Sequence, residues 1–145
     1  MLNKLFPSQN QKLVKKWLKE HQEIVKLAQK VITSYSNNNH KETKKTLKSL
    51  HTLAVDHVMN EDIEFYRLLK DQKRLTHQTE EFVNEFTQTF KGTKLTLMHF
   101  LTKYADSQIA LDDTFFRNFN EIVAVLAERI AFEEANLYTI LSAKG

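Results

Sequence analysis

Two stretches of the chain place a metal-binding or charged side chain one helical turn before a carboxylate. The sequence HVMNEDIEFY at residues 57–66 recurs in similar form as RIAFEEANLY at residues 129–138. His57 and Glu61 are four residues apart, so they share one face of a helix. Imidazole and carboxylate ligands on facing helices are how helical bundles build metal sites. The first copy therefore predicts metal binding, whereas the second copy carries Arg129 at the position of the histidine.

The elements that position these side chains are predicted to be long helices, because two glycines and one proline leave few places for turns. We expect helices over residues 8–35, 41–69 and 75–104, followed by a fourth. Ser8 and Gln11 match a capping box at the first start, and Asp112 or Asp113 can cap the fourth helix. The third helix can kink or break at residues 91–93, KGT. Similar lengths and short connections predict an all-α, up-down-up-down antiparallel four-helix bundle, with residues 1–145 as a single domain.

Ionisable side chains interrupt the apolar stripes of three predicted helices. Counting from the predicted turns brings these groups to one level in the middle of the bundle: His21, His57, Glu61, Arg129 and Glu133. Such groups need a partner or a metal when buried. On the third helix, Glu85 has the right level but lies at the edge of the stripe, and His99 points away from it. The alternative is that the histidines are hydrogen-bonded core residues and the glutamates lie at the boundary of the core.

Composition narrows the possible functions. The chain has no cysteine, which excludes disulfides, thiolate metal sites and cysteine catalysis. No signal peptide or membrane span is evident, so we expect a cytoplasmic protein with no membrane partner. The net charge of +3 permits nucleic-acid binding, but lysines spaced along an amphipathic helix are usually its solvated face, so this partner is not expected. No nucleophile–base triad or phosphate-binding glycine loop is visible, so we do not expect an enzyme.

These motifs resemble those of the hemerythrin-like (HHE cation-binding) family, from about Trp17 to Leu141. The family typically has a histidine on the first helix, then a histidine followed by paired acidic residues and an aromatic pair on the second. Its half-repeat returns on the third and fourth helices. Residues 20–24, 57–66 and 129–138 match these elements, apart from Arg129 and a third helix without a suitably placed histidine.

The resemblance implies a hemerythrin-like bundle that holds non-haem iron and binds or senses oxygen, nitric oxide or redox state. It implies that His21 and His57 are terminal ligands and that Glu61 and Glu133 bridge the metal. Arg129 is not a ligand, because guanidinium stays protonated in proteins. It can instead pair with Glu133 or Glu61 and supply the positive charge of a lost metal. One iron, two irons and no metal therefore remain open.

The ends of the chain also resemble the regulator of sigma D anti-sigma family, whose members are similar four-helix bundles. Residues 12–18 match the start of that family, and residues 127–134 match its last helix, including Arg129. This resemblance implies a metal-free regulator that binds a protein partner, with Trp17 or the basic face of the first helix at the contact. A third alternative is a histidine phosphotransfer domain, because residues 50–53 resemble its phosphoacceptor segment around His51. The lysine and glycine that normally follow are absent.

Overall fold

The computed structural model describes residues 8–70, 77–139 and 142, and within these residues the chain is all-helical, with no strand. The helices are α1 (Gln9–Ser36), α2 (His40–Lys70), α3 (His77–Ala105) and α4 (Asp113–Phe132), and a π-helical segment (Glu133–Leu137) continues α4. The predicted all-α class is confirmed. None of the described helices is long and apolar enough to cross a lipid bilayer.

The predicted starts of the first and fourth helices are confirmed. Ser8 and Gln11 form a reciprocal capping box, with backbone-to-side-chain distances of 3.0 and 3.1 Å. Asp112, rather than Asp113, caps α4 by accepting a hydrogen bond from the backbone N–H of Phe115 at 2.8 Å. Between α1 and α2, Asn38 adopts a positive φ of 60°, which asparagine tolerates better than most residues. Short polar side chains thus set where these helices begin and end.

The expected break at Gly92 is wrong, because α3 runs as one helix from His77 to Ala105. A glycine inside a helix costs only about 1 kcal/mol relative to alanine, and buried Phe90 and Leu97 anchor the helix on both sides of it. A Cβ placed on Gly92 would meet no atom within 4 Å, so no close contact requires glycine there. Leu75, where this helix was expected to begin, lies outside the described residues.

Helices α1 and α2 pack against each other as an antiparallel pair. Near the connecting turn, the hydroxyl groups of Ser34 and Thr43 lie 2.8 Å apart. Further along, the imidazoles of His21 and His57 meet at 2.9 Å. Residue numbers fall along α1 as they rise along α2, as two helices joined by a short turn require. The turn therefore sets which residues of α1 and α2 face each other.

Helix α3 packs against the other side of α2, also in the antiparallel sense. Lys44 donates hydrogen bonds to the carbonyl oxygens of Tyr104 and Asp106, at 2.7 and 2.6 Å. Toward the other end of the pair, Lys94 forms an ion pair with Asp62. Helix α4 contacts both α1 and α3, and its π-helical continuation contacts α3. The four helices thus surround a shared interior.

A polar layer divides the apolar interior into two clusters. The larger cluster lies toward the α1–α2 turn and includes Ile24, Leu50, Leu101, Phe115 and Leu126. The smaller one lies toward the other end and consists of Val14, Trp17, Val83, Phe86, Phe90, Leu137 and Tyr138, with partly buried Leu13 and Phe132 against it. Between them are the buried ionisable side chains His21, His57, Glu61, Arg129 and Glu133.

Candidate metal centre

The four predicted ligands meet in this polar layer. Each offers one ligand atom, and these atoms all lie within 4.8 Å of one another in a group that could hold a metal ion: His21, His57, Glu61 and Glu133. All four are at most 3 % exposed. The prediction that they share one level is confirmed, and their role as ligands stays a prediction. Glu85 and His99 of α3 are exposed and lie outside this group.

The two histidines face each other through their Nε2 atoms, which are 2.9 Å apart. Their other ring nitrogens are held by carboxylates. His21 Nδ1 lies 3.0 Å from Glu134 Oε2, and His57 Nδ1 lies 2.9 Å from Glu20 Oε1. An ionised carboxylate can only accept a hydrogen bond, so each Nδ1 carries the proton. Both Nε2 atoms of the neutral rings therefore present lone pairs toward the centre.

Two lone pairs at this distance repel each other unless a positive charge lies beside them. In the metal-free protein, a proton on His57 meets this need, because His57 Nε2 is also 2.9 Å from Glu61 Oε1. A metal cation meets it equally, because the neutral imidazole nitrogen is a ligand. Metal-binding histidines almost always donate their other N–H to a carboxylate or carbonyl, as both histidines do here. The outer partners thus hold the rings in the tautomer that metal binding requires.

The pKa values of the two histidines move in opposite directions. Burial lowers the pKa of His57, but Glu61 and Glu20 outweigh burial, so its pKa is raised above the ordinary value of 6.5. Burial and the neighbouring charge of His57 lower the pKa of His21, despite its hydrogen bond to Glu134. These directions agree with a proton on His57, whose Nε2 lies 2.9 Å from Glu61 Oε1. This proton is the one that a metal ion has to displace.

Arg129 contacts both glutamates of the centre. Its Nε is 3.4 Å from Glu133 Oε1, its Nη2 is 3.7 Å from Glu61 Oε1, and its Cζ lies 4.9 Å from the ring centre of Phe86. The guanidinium is 2 % exposed. The interpretation that Arg129 pairs with both glutamates agrees with these distances. At this level α3 contributes the aromatic ring of Phe86 rather than a polar side chain.

Tyr138 is a member of the centre that the sequence did not indicate. Its hydroxyl donates a hydrogen bond to Glu61 Oε2 and lies 3.0 Å from His21 Nε2 and 3.4 Å from Glu133 Oε2. Its ring stacks on His21 and packs against Trp17, with ring centres 5.3 and 5.4 Å away. Burial and the charge of Glu61 raise its pKa, so the phenol is protonated at neutral pH.

The π-helical segment explains why Tyr138 reaches the centre. The backbone N–H of Tyr138 bonds to the carbonyl of Glu133, five residues earlier, instead of four. In an α-helix, residues five apart point about 140° away from each other. In a π-helix they lie on nearly the same face. The local widening therefore turns Glu133 and Tyr138 toward the same interior point, and π-bulges of this kind are frequent at functional sites.

Two further participants, Glu20 and Glu134, are adjacent in sequence to predicted ligands. Glu20 precedes a residue of the apolar stripe by one position, and Glu134 follows one by one position. Sequence periodicity therefore places both on the flank of their helix. Glu20 is 15 % exposed and Glu134 is 41 % exposed. One sequence signal points to them, because Glu20 is adjacent to His21 and Glu134 is adjacent to Glu133. The periodicity does not show that their side chains reach across to another helix.

The charges of the centre favour an added cation. Four carboxylates surround it, at Glu20, Glu61, Glu133 and Glu134, and Arg129 is the cation that pairs with two of them. With both histidines neutral, the group carries three excess negative charges. Glu61 Oε1 and Arg129 Nη2 are buried without a hydrogen-bond partner of good geometry. A mixed nitrogen and oxygen donor set with excess negative charge fits a divalent transition metal.

The residues used for the alternative interpretations lie elsewhere. His51 is half-buried and its Nε2 lies 3.2 Å from the hydroxyl of Thr102, away from the polar layer. His40 is exposed and stacks on Tyr35. Trp17 is fully buried beside His57 and Tyr138, and its contact with a partner protein stays a prediction. Its bulk is used in the smaller apolar cluster.

No family model, no curated protein and no solved structure matches this chain. The hemerythrin-like assignment therefore stays a prediction based on the motifs described above.

Proposed function

We propose that this chain is a metal-binding protein whose centre holds non-haem iron through His21, His57, Glu61 and Glu133. The observation that carries the proposal is the pair of buried imidazoles, whose Nε2 atoms point at each other while carboxylates hold both Nδ1 atoms. Outer carboxylates of this kind are typical partners of metal-binding histidines. Bound iron would allow the centre to bind a diatomic ligand such as oxygen or nitric oxide, or to undergo a one-electron redox change.

The donor set supports iron before other metals. Imidazole and carboxylate ligands suit iron, with manganese and zinc as the next candidates, and the chain has no thiolate that would favour zinc or copper. Two imidazoles and two carboxylates give four protein ligands for one ion. The surrounding phenylalanines and leucines keep water away from the centre, which strengthens every charge interaction inside it.

The proposed architecture is a hemerythrin-like, up-down-up-down antiparallel four-helix bundle. Three observations support it: α2 runs antiparallel to α1 and α3, α4 contacts α1 and α3, and the connection between α1 and α2 is short. Ligands that come from α1, α2 and α4 and converge at mid-length are also expected of such a bundle.

The test is the metal content of protein purified without chelator and then loaded anaerobically with ferrous ion. We expect about one iron per chain after gel filtration, measured by elemental analysis. His57→Ala and Glu61→Ala should each remove most of it, because each deletes a buried ligand atom. His51→Ala and Asp56→Ala are matched controls on the same helix, and both should retain the iron.

Two results would contradict the proposal. Wild-type protein that binds no iron, manganese or zinc under these conditions excludes a metal function. Full iron content in both His57→Ala and Glu61→Ala excludes this centre as the binding site. A circular dichroism spectrum for every variant separates loss of metal from loss of fold.

A metal-free regulator of the anti-sigma type is the second candidate, favoured by the ion pairs of Arg129 with Glu61 and Glu133, which already neutralise part of the centre. The exposed lysines of α1 offer its contact surface. Binding of the housekeeping sigma subunit at micromolar concentration, lost in a Lys15→Glu, Lys19→Glu double variant, is the expected result for this candidate. No association at that concentration counts against it.

A further inference from the structure

We propose that the guanidinium of Arg129 occupies one of two cation positions in the centre, and so lowers its metal capacity by one ion per chain. This inference rests on the proposed metal function, because it assumes that a metal ion binds in the other position. The argument uses the internal repeat, the contacts of the two glutamates and the charge of the side chain.

The repeat makes Arg129 the counterpart of His57. Each residue precedes a fully buried glutamate by four positions, so each points into the centre from its own helix. His57 approaches Glu61 on α2, and Arg129 approaches Glu133 on α4. The chain therefore has two similar half-sites. His57 gives one of them an imidazole that can bind a metal, and Arg129 gives the other a permanent positive charge.

Both glutamates contact the two half-sites. Glu61 Oε1 lies 2.9 Å from His57 Nε2 and 3.7 Å from Arg129 Nη2. Glu133 Oε1 lies 3.4 Å from Arg129 Nε and 3.9 Å from His21 Nε2. In each carboxylate the same oxygen, Oε1, is close to both an imidazole and the guanidinium. The two carboxylates are therefore shared between the histidines and the charge of Arg129.

The guanidinium fills the second position in charge and in space. It cannot lose its proton and so cannot become a ligand, and its charge repels a metal ion placed beside it. Stacking on Phe86 holds it there. Replacing Arg129 with histidine removes the charge, shortens the side chain and supplies a ligand nitrogen next to Glu133. The space released lies between the same two carboxylates.

The experiment compares iron per chain in wild type, Arg129→His and the matched control Arg117→His, which adds a histidine to the exposed face of α4. Each protein is loaded anaerobically with excess ferrous ion, freed of unbound metal by gel filtration and measured by elemental analysis. We expect one ion in wild type, two in Arg129→His and one in Arg117→His. An Arg129→Gln variant removes the charge without adding a ligand, and it decides the question if Arg129→His does not fold, with a gain over wild type expected.

The results separate this inference from the proposed function. A gain of one ion on removing Arg129, from one to two or from zero to one, supports the inference. The second of these patterns contradicts the metal function of the natural chain at the same time. Two ions in wild type, or equal content in wild type and the folded Arg129 variants, overturns the inference. In either case, metal bound to wild type leaves the proposed metal function standing. Absence of metal from wild type and from every variant contradicts both the function and the inference.

Discussion

Tyr66 and Tyr138 hold the same position in the two copies of the repeated sequence, yet Tyr66 is 58 % exposed and Tyr138 is 2 % exposed. The chain continues as an α-helix after Glu61, which turns the residue five positions later toward solvent. After Glu133 it forms a π-helical segment, which turns the equivalent residue inward. One local change in helical pitch therefore makes one copy of the tyrosine part of the centre and leaves the other on the surface.

Removal of the Tyr138 hydroxyl should destabilise the metal-free protein. In Tyr138→Phe, a buried carboxylate oxygen of Glu61 loses its donor, and leaving such a group unsatisfied costs about 1–3 kcal/mol. Urea unfolding of chelator-treated protein measures the change. Tyr35→Phe is the control, because its hydrogen bond to Asp113 lies at the surface, and its effect should be smaller. Equal unfolding midpoints for Tyr138→Phe and wild type would show that the hydroxyl does not support the centre.

Neutralising Glu133 should also destabilise the metal-free protein. Glu133→Gln leaves the buried guanidinium of Arg129 with Glu61 alone, at 3.7 Å. Breaking one side of a buried ion pair typically costs about 3–5 kcal/mol. The measurement is the free energy of unfolding in urea, with exposed Glu128→Gln on the same helix as the control. An unchanged midpoint in Glu133→Gln would rule out Arg129 as a charge that the fold depends on.

The outer carboxylates should tune metal affinity without providing ligands. Glu20→Gln and Glu134→Gln each replace the carboxylate that orients one imidazole, and loss of such partners typically costs ten- to a hundredfold in affinity. Competition with a chelator of known affinity measures the change. Glu23→Gln, exposed on α1, should leave the affinity unchanged. If Glu20→Gln and Glu134→Gln both bind metal as tightly as Glu23→Gln, the hydrogen bonds to Nδ1 do not serve the metal.

The stability of the metal-free protein should be highest near the ordinary histidine pKa of 6.5. The raised pKa of His57 gives the folded state extra stability below that pH, and this is lost as the pH rises through the folded-state pKa. The lowered pKa of His21 has the opposite sign, since its contribution is present above that pH and is lost as the pH falls through its folded-state pKa. Urea midpoints from about pH 5 to pH 9 test both slopes.

His57→Gln is the control for the alkaline slope. This variant cannot take up the proton, so the decline in stability above the ordinary histidine pKa should disappear. The same slope in wild type and His57→Gln would assign the decline to another group. Metal affinity should rise with pH over the range in which wild type loses stability, because the metal displaces the same proton.

Gly92→Ala should stabilise the protein by about 0.5–1 kcal/mol. The site is exposed and helical, and an added Cβ meets nothing within 4 Å. The gain arises because alanine loses less backbone entropy than glycine on folding. Thermal unfolding of the variant checks it. A loss of stability would indicate that α3 is not a regular helix at this position.

The fold could be predicted as far as its signals are local. Ser8 with Gln11 and Asp112 fix helix starts through side-chain hydrogen bonds to nearby backbone N–H groups, and these follow from residue type. The break expected at Gly92 does not occur, because a helix held by buried residues on both sides tolerates a glycine that would break an isolated helix. Tertiary packing, which the local sequence does not show, outweighed the local propensity.

The centre could be predicted where residues lie on a regular stripe. His21, His57 and Glu61 follow α-helical spacing, so counting from the turns brought them to one level. Tyr138 could not be found this way, because the π-helical segment changes the spacing that the count assumes. Glu20 was missed because its side chain crosses from the flank of α1 to His57, a contact that depends on how the two helices are packed.

The polar layer between the two apolar clusters also restricts how the helices can slide along one another. A shift of α4 by one turn, about 5.4 Å, would carry Glu133 toward the phenylalanines of one cluster or the leucines of the other. It would also separate Arg129 and Tyr138 from Glu61, and Glu134 from His21, so the contacts across the centre would be lost although Arg129 and Glu133 would move together. Apolar side chains alone tolerate such slippage, because one leucine replaces another at little cost. The charged layer therefore favours one alignment of the helices, whether the centre holds a metal ion or a proton.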